Sequence, residues 1–247
     1  MTTQRSARGT ARLTLPGLVL TAFGSVNALA AGTTELSWSG CASPLVSHQL
    51  VEGGNSYYLN AYVTDQVAPF SGCDLRIAVT DRSAGFLGDA WRFDVGGCQP
   101  AGSFEVFASH PAFTKCPTVR GALAATQAAS FVYDANSGSA SVAFSMDFGQ
   151  LQTLPIPNRR HLVCAIRFNH ASSVTGDEPG ASECGELERQ VCFQLVEATY
   201  TDAGGNRVQW ASTAPWASAS GAAEAPLVCG TVSATNTTWG MIKSQYR

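Results

Sequence analysis

Short runs of alternating apolar and polar residues recur along the chain, and turn-forming residues separate them. Residues 73–80 (CDLRIAVT) alternate most regularly, with Asp74 and Arg76 among the outward positions, which predicts a half-buried antiparallel strand. Residues 190–210 predict a β-hairpin, because two such runs flank the Asp-Ala-Gly-Gly-Asn turn at 202–206. About nine or ten short strands with little helix predict a mainly β fold, an antiparallel β-sandwich of immunoglobulin-like or Greek-key type.

The remaining strands are predicted from the same signals. They lie at 34–38, 56–64, 90–95, 103–109 and 161–169, with a second hairpin formed by 130–133 and 140–148. Residues 121–129 (GALAATQAA) are ambiguous, since alanine favours a helix but nine residues without an N-cap are marginal alone. The small polar composition of 217–226 (ASASGAAEAP) predicts a linker.

The N-terminus has the pattern of a secretory signal peptide. Three arginines (Arg5, Arg8 and Arg12) precede an apolar run at 13–23, and Ala28-Leu29-Ala30 fits a cleavage site, so residues 1–30 are expected to be removed. The apolar run is shorter than the roughly 20 residues that cross a bilayer. We therefore expect a secreted protein, extracellular or periplasmic, without a transmembrane anchor.

The exported part is expected to form one β-sandwich domain over residues 31–229. Residues 230–247 then form a polar linker and a short C-terminal segment. In that segment Trp239, Ile242 and Tyr246 share one helical face, which suits either docking on the sandwich or use as an exposed recognition tail.

All eight cysteines lie after the predicted cleavage site, which predicts a disulfide-stapled fold. Eight cysteines allow 105 connectivities. The bridges closest in sequence, Cys98–Cys116 and Cys184–Cys192, are expected first, and Cys41–Cys73 and Cys164–Cys229 complete the set. Structural zinc is disfavoured, because the sequence contains no C-x-x-C pair.

The charge balance excludes one class of partner. Removal of the three N-terminal arginines leaves 12 basic against 18 acidic residues, a net charge of −6, which argues against nucleic-acid binding. Charged residues make up only 13% of the chain, about half the usual share. A surface of small neutral residues suits an extracellular β-protein.

Catalytic motifs are missing from the sequence. There is no G-x-S-x-G, no H-E-x-x-H and no phosphate-binding glycine loop, and no spacing of the four histidines selects a triad. We therefore expect a binding or structural module and not an enzyme. A self-assembling cell-surface or filament subunit and a secreted hydrolase on the same scaffold are the alternatives.

Four aromatic residues are the predicted ligand-binding positions. Tyr58 and Tyr62 share the strand face opposite the apolar one, and Trp210 and Trp216 flank the polar turn STAP. Exposed aromatic rings can stack on sugars, so carbohydrate or a cell-surface protein is the expected partner. The alternative is that a second sheet covers the tyrosines and that Trp210 is part of the core.

The acidic loop at 176–188 is the predicted metal site. Asp177 and Glu178 are the candidate calcium ligands, because calcium takes loop carboxylates and carbonyls. The alternative is a solvated loop, and no other cofactor is expected.

Several stretches resemble a group of uncharacterised exported bacterial β-sandwich proteins. They are ELSWSGC (35–41), WRFDVGGC (91–98) followed by Cys116, the region 164–193, and the C-terminal tail TWGMIKSQYR. The resemblance implies export and a β-sandwich, but it implies no activity, because that group has none assigned. The group's cysteine-rich run before Val-Cys contains only Cys184 here, so the resemblance gives no disulfide pairing.

Overall fold

The computed structural model describes residues 32–54, 56–64, 69–82, 85–110, 116–119, 126–154, 156, 159–221 and 229. They form a β-sandwich, as predicted, with a single 3₁₀ turn at Asp89–Trp91. The strands are β1 Thr33–Ser37, β2 Ser47–Gln49, β3 Ser56–Thr64, β4 Phe70–Asp81, β5 Phe104–Phe107, β6 Thr126–Asp134, β7 Ser139–Gln152, β8 His161–Asn169, β9 Val191–Asp202, β10 Arg207–Gln209, β11 Ala211–Ala214 and β12 Trp216–Ser220.

The strands form two sheets. One has five strands in the order β11-β1-β3-β8-β5. The other has seven, in the order β2-β12-β9-β4-β7-β6, with β10 paired to β9. Most pairings are antiparallel, while β1–β11 and β12–β2 are parallel. The chain passes repeatedly from one sheet to the other, for example between β3 and β4 and between β7 and β8, so the strands of the two sheets are interleaved in sequence.

The core lies between the sheets and follows from the alternation in the sequence. On β4, Leu75, Ile77 and Val79 are buried, whereas Arg76 and Thr80 are exposed. Phe168 of β8 and Phe193 of β9 meet across the sandwich with ring centroids 5.4 Å apart. Full burial of such a side chain contributes about 1.5–3 kcal/mol.

The disulfides differ from every predicted pair. The bonds are Cys41–Cys116, Cys98–Cys184 and Cys192–Cys229, with Cα–Cα distances of 5.7, 5.6 and 5.7 Å. Cys73 and Cys164 are free and buried. The predictions Cys98–Cys116, Cys184–Cys192, Cys41–Cys73 and Cys164–Cys229 are wrong because the fold, and not closeness in sequence, brings the partners together. Cys98, for example, bonds across 86 residues to the acidic loop.

Two predicted elements are also wrong. Residues 90–95 form no strand, because the 3₁₀ turn directs Trp91 into the core, where it is 1% exposed. The first residues of the predicted linker at 217–226 belong to β12, which pairs with β9, and Ala217 and Ala219 are buried there. Residues 222–226 lie outside the described residues. Of the ambiguous segment 121–129, residues 126–129 open β6.

The predicted signal peptide (residues 1–30) and C-terminal segment (residues 230–247) lie outside the described residues. Within the described part of the chain, no helix is long and apolar enough to cross a membrane.

Candidate functional site

The outer face of the seven-stranded sheet carries a shallow hollow of about 290 Å³. We call it the outer hollow. Its floor consists of small side chains from β6 and β7, namely Ala128, Ser130, Ala143 and Ser145. The register places Ala143 between Ser130 and Arg76, and Ser145 between Ala128 and Asp74. Because these side chains are short, the pleated surface stays open above them.

A row of charged residues borders the outer hollow on β4, β9 and β10. Arg76 lies 3.4 Å from Glu197, and Arg207 lies 3.0 Å from Glu197 and 3.2 Å from Asp74. The two arginine side chains are 59% and 58% exposed. Exposed ion pairs contribute only about 0–1 kcal/mol to folding, so the main consequence of this row is that both signs of charge lie on an accessible face.

A smaller hollow of about 260 Å³ lies where β9 meets β10 and β11. Leu195, Val196 and Trp210 contribute to its lining. Trp210 is only 1% exposed and stacks on Tyr200 with centroids 5.7 Å apart. The alternative in which Trp210 is part of the core is therefore correct, and Trp210 is not an exposed platform, because the side chain packs into the core below this surface.

Tyr62 is also not an exposed platform. It is 0% exposed, its hydroxyl donates to the Ser39 carbonyl at 3.0 Å, and the Arg160 guanidinium lies over its ring at 4.3 Å. Burial raises the pKa of the Tyr62 phenol to about 12, although Arg160 opposes the rise. The expected exposure fails because the segment around Ser39, tied down by Cys41–Cys116, covers this face of β3.

The other two predicted aromatic positions remain partly accessible. Tyr58 is half-buried, and its ring contacts the ring of His110 with centroids 4.5 Å apart. Trp216 is half-buried at the start of β12, opposite Gln194. They lie in different sheets, so the four aromatic residues do not form one surface. Ligand binding by Tyr58 and Trp216 stays a prediction.

The predicted calcium ligands Asp177 and Glu178 are both exposed. Other carboxylates of this loop bind its own backbone: Glu188 accepts from the Gly176 amide and Glu183 from the Gly180 amide, each at 2.9 Å. Across the described ranges, no group of three or more His, Cys, Asp or Glu side chains is placed to hold a metal ion. Calcium binding by Asp177 and Glu178 stays a prediction.

A buried polar cluster contains a serine–histidine pair. His170 Nδ1 lies 2.9 Å from Ser173 Oγ, which also accepts from Gln99 Nε2 at 2.7 Å. His170 and Ser173 are both 0% exposed, and burial lowers the pKa of His170 to about 3. The pair therefore lacks both substrate access and a base of suitable pKa. Its role is to join the loop after β8 to the loop after the 3₁₀ turn.

Of the four charged residues beside the outer hollow, the sequence pattern places only Asp74 and Arg76 as outward-pointing positions. Arg76 and Asp74 alternate with the buried residues of β4, and this alternation is the sequence signal that directs them outward. Their meeting with Glu197 and Arg207 depends on the β4–β9 register, in which Arg76 lies opposite Glu197 and Asp74 opposite Thr199. The sequence does not predict the floor of the outer hollow, because alanine and serine in a strand do not by themselves indicate a binding site.

Comparison with known proteins gives no family assignment. No family model matches the chain, and no curated protein matches it. Among solved structures, the chain is similar to a cohesin module from a family 33 glycoside hydrolase of Clostridium perfringens, with 9% identity and a TM-score of 0.36, over 76% of this chain and 93% of that one.

Two further cohesins are also similar. The second type II cohesin module of the ScaA scaffoldin of Acetivibrio cellulolyticus matches with 10% identity and a TM-score of 0.37, over 79% of this chain and 99% of that one. A non-cellulosomal cohesin from Archaeoglobus fulgidus has 11% identity and a TM-score of 0.31, over 77% of this chain and 91% of that one. These scores are too low to assign a function, so the functional argument rests on the chain's own residues.

Proposed function

We propose that this chain is an extracellular, non-catalytic binding module that docks a partner protein on the outer hollow. The observation that carries the proposal is the combination of a floor of small side chains with the row of charges beside it. A face of this kind admits side chains of a partner above Ala143 and Ser130 and offers both signs of charge at its border.

A protein partner is favoured over carbohydrate by the chemistry of this face. Sugar binding on a sheet relies on exposed aromatic rings, and Tyr62 and Trp210 are enclosed by their surroundings. The outer hollow is instead lined by small and charged side chains, which suit complementary charges and backbone groups of another protein. The two arginines and two carboxylates have no net charge together. A partner is therefore recognised by the arrangement of its charges and not by its net charge.

The extracellular location is supported by two independent features. Three disulfides link distant parts of the fold, and such bonds persist in oxidising compartments. The N-terminal sequence has the pattern of a secretory signal. The hydrolase alternative receives less support, because the serine–histidine pair of His170 and Ser173 is enclosed in the core.

The proposal is tested by photo-crosslinking in the producing cells. A photoreactive phenylalanine analogue replaces Ser145 in the floor of the outer hollow, and in a matched variant it replaces Thr80, exposed on the same sheet face but outside the hollow. We expect a discrete crosslinked protein from position 145 and not from position 80.

Binding of the purified chain to a glycan array is measured in parallel. Glycan binding that survives Ala143→Arg but is lost in Tyr58→Ala or Trp216→Ala would favour the carbohydrate alternative. Equal crosslinking from positions 145 and 80 would contradict docking on the outer hollow.

A further inference from the structure

Among the described strands, β6 forms the longest sheet edge. The five-stranded sheet ends in β11 and β5, each of four residues. The seven-stranded sheet ends in β2, of three residues, and in β6, of nine, and β10, which pairs only with β9, has three. Among the residues that the structure describes, only β7 pairs with β6. Alternate backbone N–H and C=O groups of β6 therefore point away from its neighbour along a long edge.

This edge lacks the features that usually prevent pairing with another chain. Edge strands are commonly protected by lysine, proline, bulges or short length. β6 reads TQAASFVYD, contains no lysine, arginine, proline or glycine, and pairs with β7 over all nine residues without a register shift. Residues 126–130 are exposed, and Val132 is 56% exposed on the outer face.

The sequence of β6 is complementary to itself in the antiparallel direction. A two-fold axis through Ser130 places Ser130 opposite Ser130, Ala128 opposite Val132, and Thr126 opposite Asp134. Each exposed Val132 is then covered by a small side chain, and no like charges face each other. The two Asp134 carboxylates lie at opposite ends, about 27 Å apart at 3.4 Å per residue, well beyond the screening length of about 8 Å.

We propose that a second copy of this chain pairs with β6 in this register and joins the two seven-stranded sheets into one continuous sheet. Such a contact uses the same patch on both copies, so it closes as a dimer and does not extend into a filament. Ala128 and Ser130 of this edge also line the outer hollow, but the inference does not depend on the proposed partner, because dimerisation is measured on the purified chain alone. It also places two outer hollows side by side across the axis.

Sedimentation velocity of the purified chain tests the proposal, at concentrations from about 1 to 200 μM, which span the affinities of small interfaces. We expect a concentration-dependent dimer. Ser130→Lys places two like charges on the axis and is expected to weaken dimerisation at least about tenfold. Thr80→Lys, the matched control, adds the same charge to the same sheet face away from the edge and is expected to leave dimerisation unchanged.

A mixture of variants then distinguishes this register from other contacts. Equal amounts of Ser130→Lys and Ser130→Glu chains are expected to form a heterodimer at least as tight as the unmodified dimer, because opposite charges now meet on the axis. A monomer at every concentration would overturn the proposal. A dimer that Ser130→Lys leaves intact would also overturn the proposal, because the contact would then lie elsewhere on the chain. A mixture of the two variants that fails to associate would overturn it as well, because the opposite charges at position 130 would not meet.

Discussion

The ring of Phe168 on β8 packs against the ring of Phe193 on β9, with centroids 5.4 Å apart, and the two residues belong to opposite sheets. Phe168 also contacts Trp91 and Phe93, so this ring joins the loop after the 3₁₀ turn to both sheets. The contact explains why two sheets whose strands are interleaved in sequence form one core.

Truncation of Phe168 is expected to destabilise the whole fold. Phe168→Ala removes a side chain that is 1% exposed and leaves a cavity, at a cost of about 3–5 kcal/mol in the free energy of unfolding. Val132→Ala, at an exposed position on β6, is expected to change it by less than about 0.5 kcal/mol. Urea unfolding followed by fluorescence measures both, and equal effects would contradict the assigned core.

Thiol titration tests the disulfide pattern. Burial raises the pKa of both the Cys73 and Cys164 thiols, so neither is expected to react with an aromatic disulfide reagent in the native chain at pH 8. Denaturation without reductant is expected to expose two reactive thiols, and full reduction eight. Denatured chain with no reactive thiol would contradict the pattern, because it would require a fourth bond.

Acid is expected to destabilise the fold through His170. Its pKa is lowered from 6.5 to about 3 by burial, so below pH 6.5 the unfolded chain takes up a proton that the folded chain does not. Stability present above pH 6.5 is therefore lost as the pH falls toward 3, at up to about 1.4 kcal/mol per pH unit. Unfolding experiments from pH 7 to 4 are expected to show a shallower loss for His170→Asn, and identical slopes would remove His170 as the cause.

The charged row beside the outer hollow is expected to matter little for folding. Arg207 is 58% exposed, so Arg207→Ala is expected to lower the free energy of unfolding by no more than about 1 kcal/mol. Its effect on partner binding is expected to be larger, and to decrease with added salt, because an exposed charge acts mainly on recognition and association rate. A large loss of stability would instead make the row a structural feature.

Much of the sheet structure could be predicted from local sequence. The strands at 56–64 and 161–169 have the predicted bounds, because alternation and flanking turn residues are local signals. The disulfide pairs could not be predicted, since they depend on how loops meet after folding. β12 was missed because alanine and serine lack β-propensity, and it forms through its pairing with β9.

The site was less predictable than the fold. Alternation placed Tyr62 on the outer face of β3, which is correct, but a segment near Ser39 covers that face, and no local signal reveals such a cover. The burial of Trp210 also could not be predicted locally, because it depends on contacts with Phe70 and Tyr200 from other parts of the sheet. Arg76 was correctly directed outward, but its partners depend on strand register.

The most direct measurement is the affinity of the crosslinked partner for the purified chain, determined by calorimetry with two matched variants. Ala143→Arg fills the floor of the outer hollow, and Thr80→Arg adds the same side chain outside it. The account predicts at least about tenfold weaker binding for Ala143→Arg and less than about twofold change for Thr80→Arg. Unchanged binding by a folded Ala143→Arg chain would contradict docking on the outer hollow.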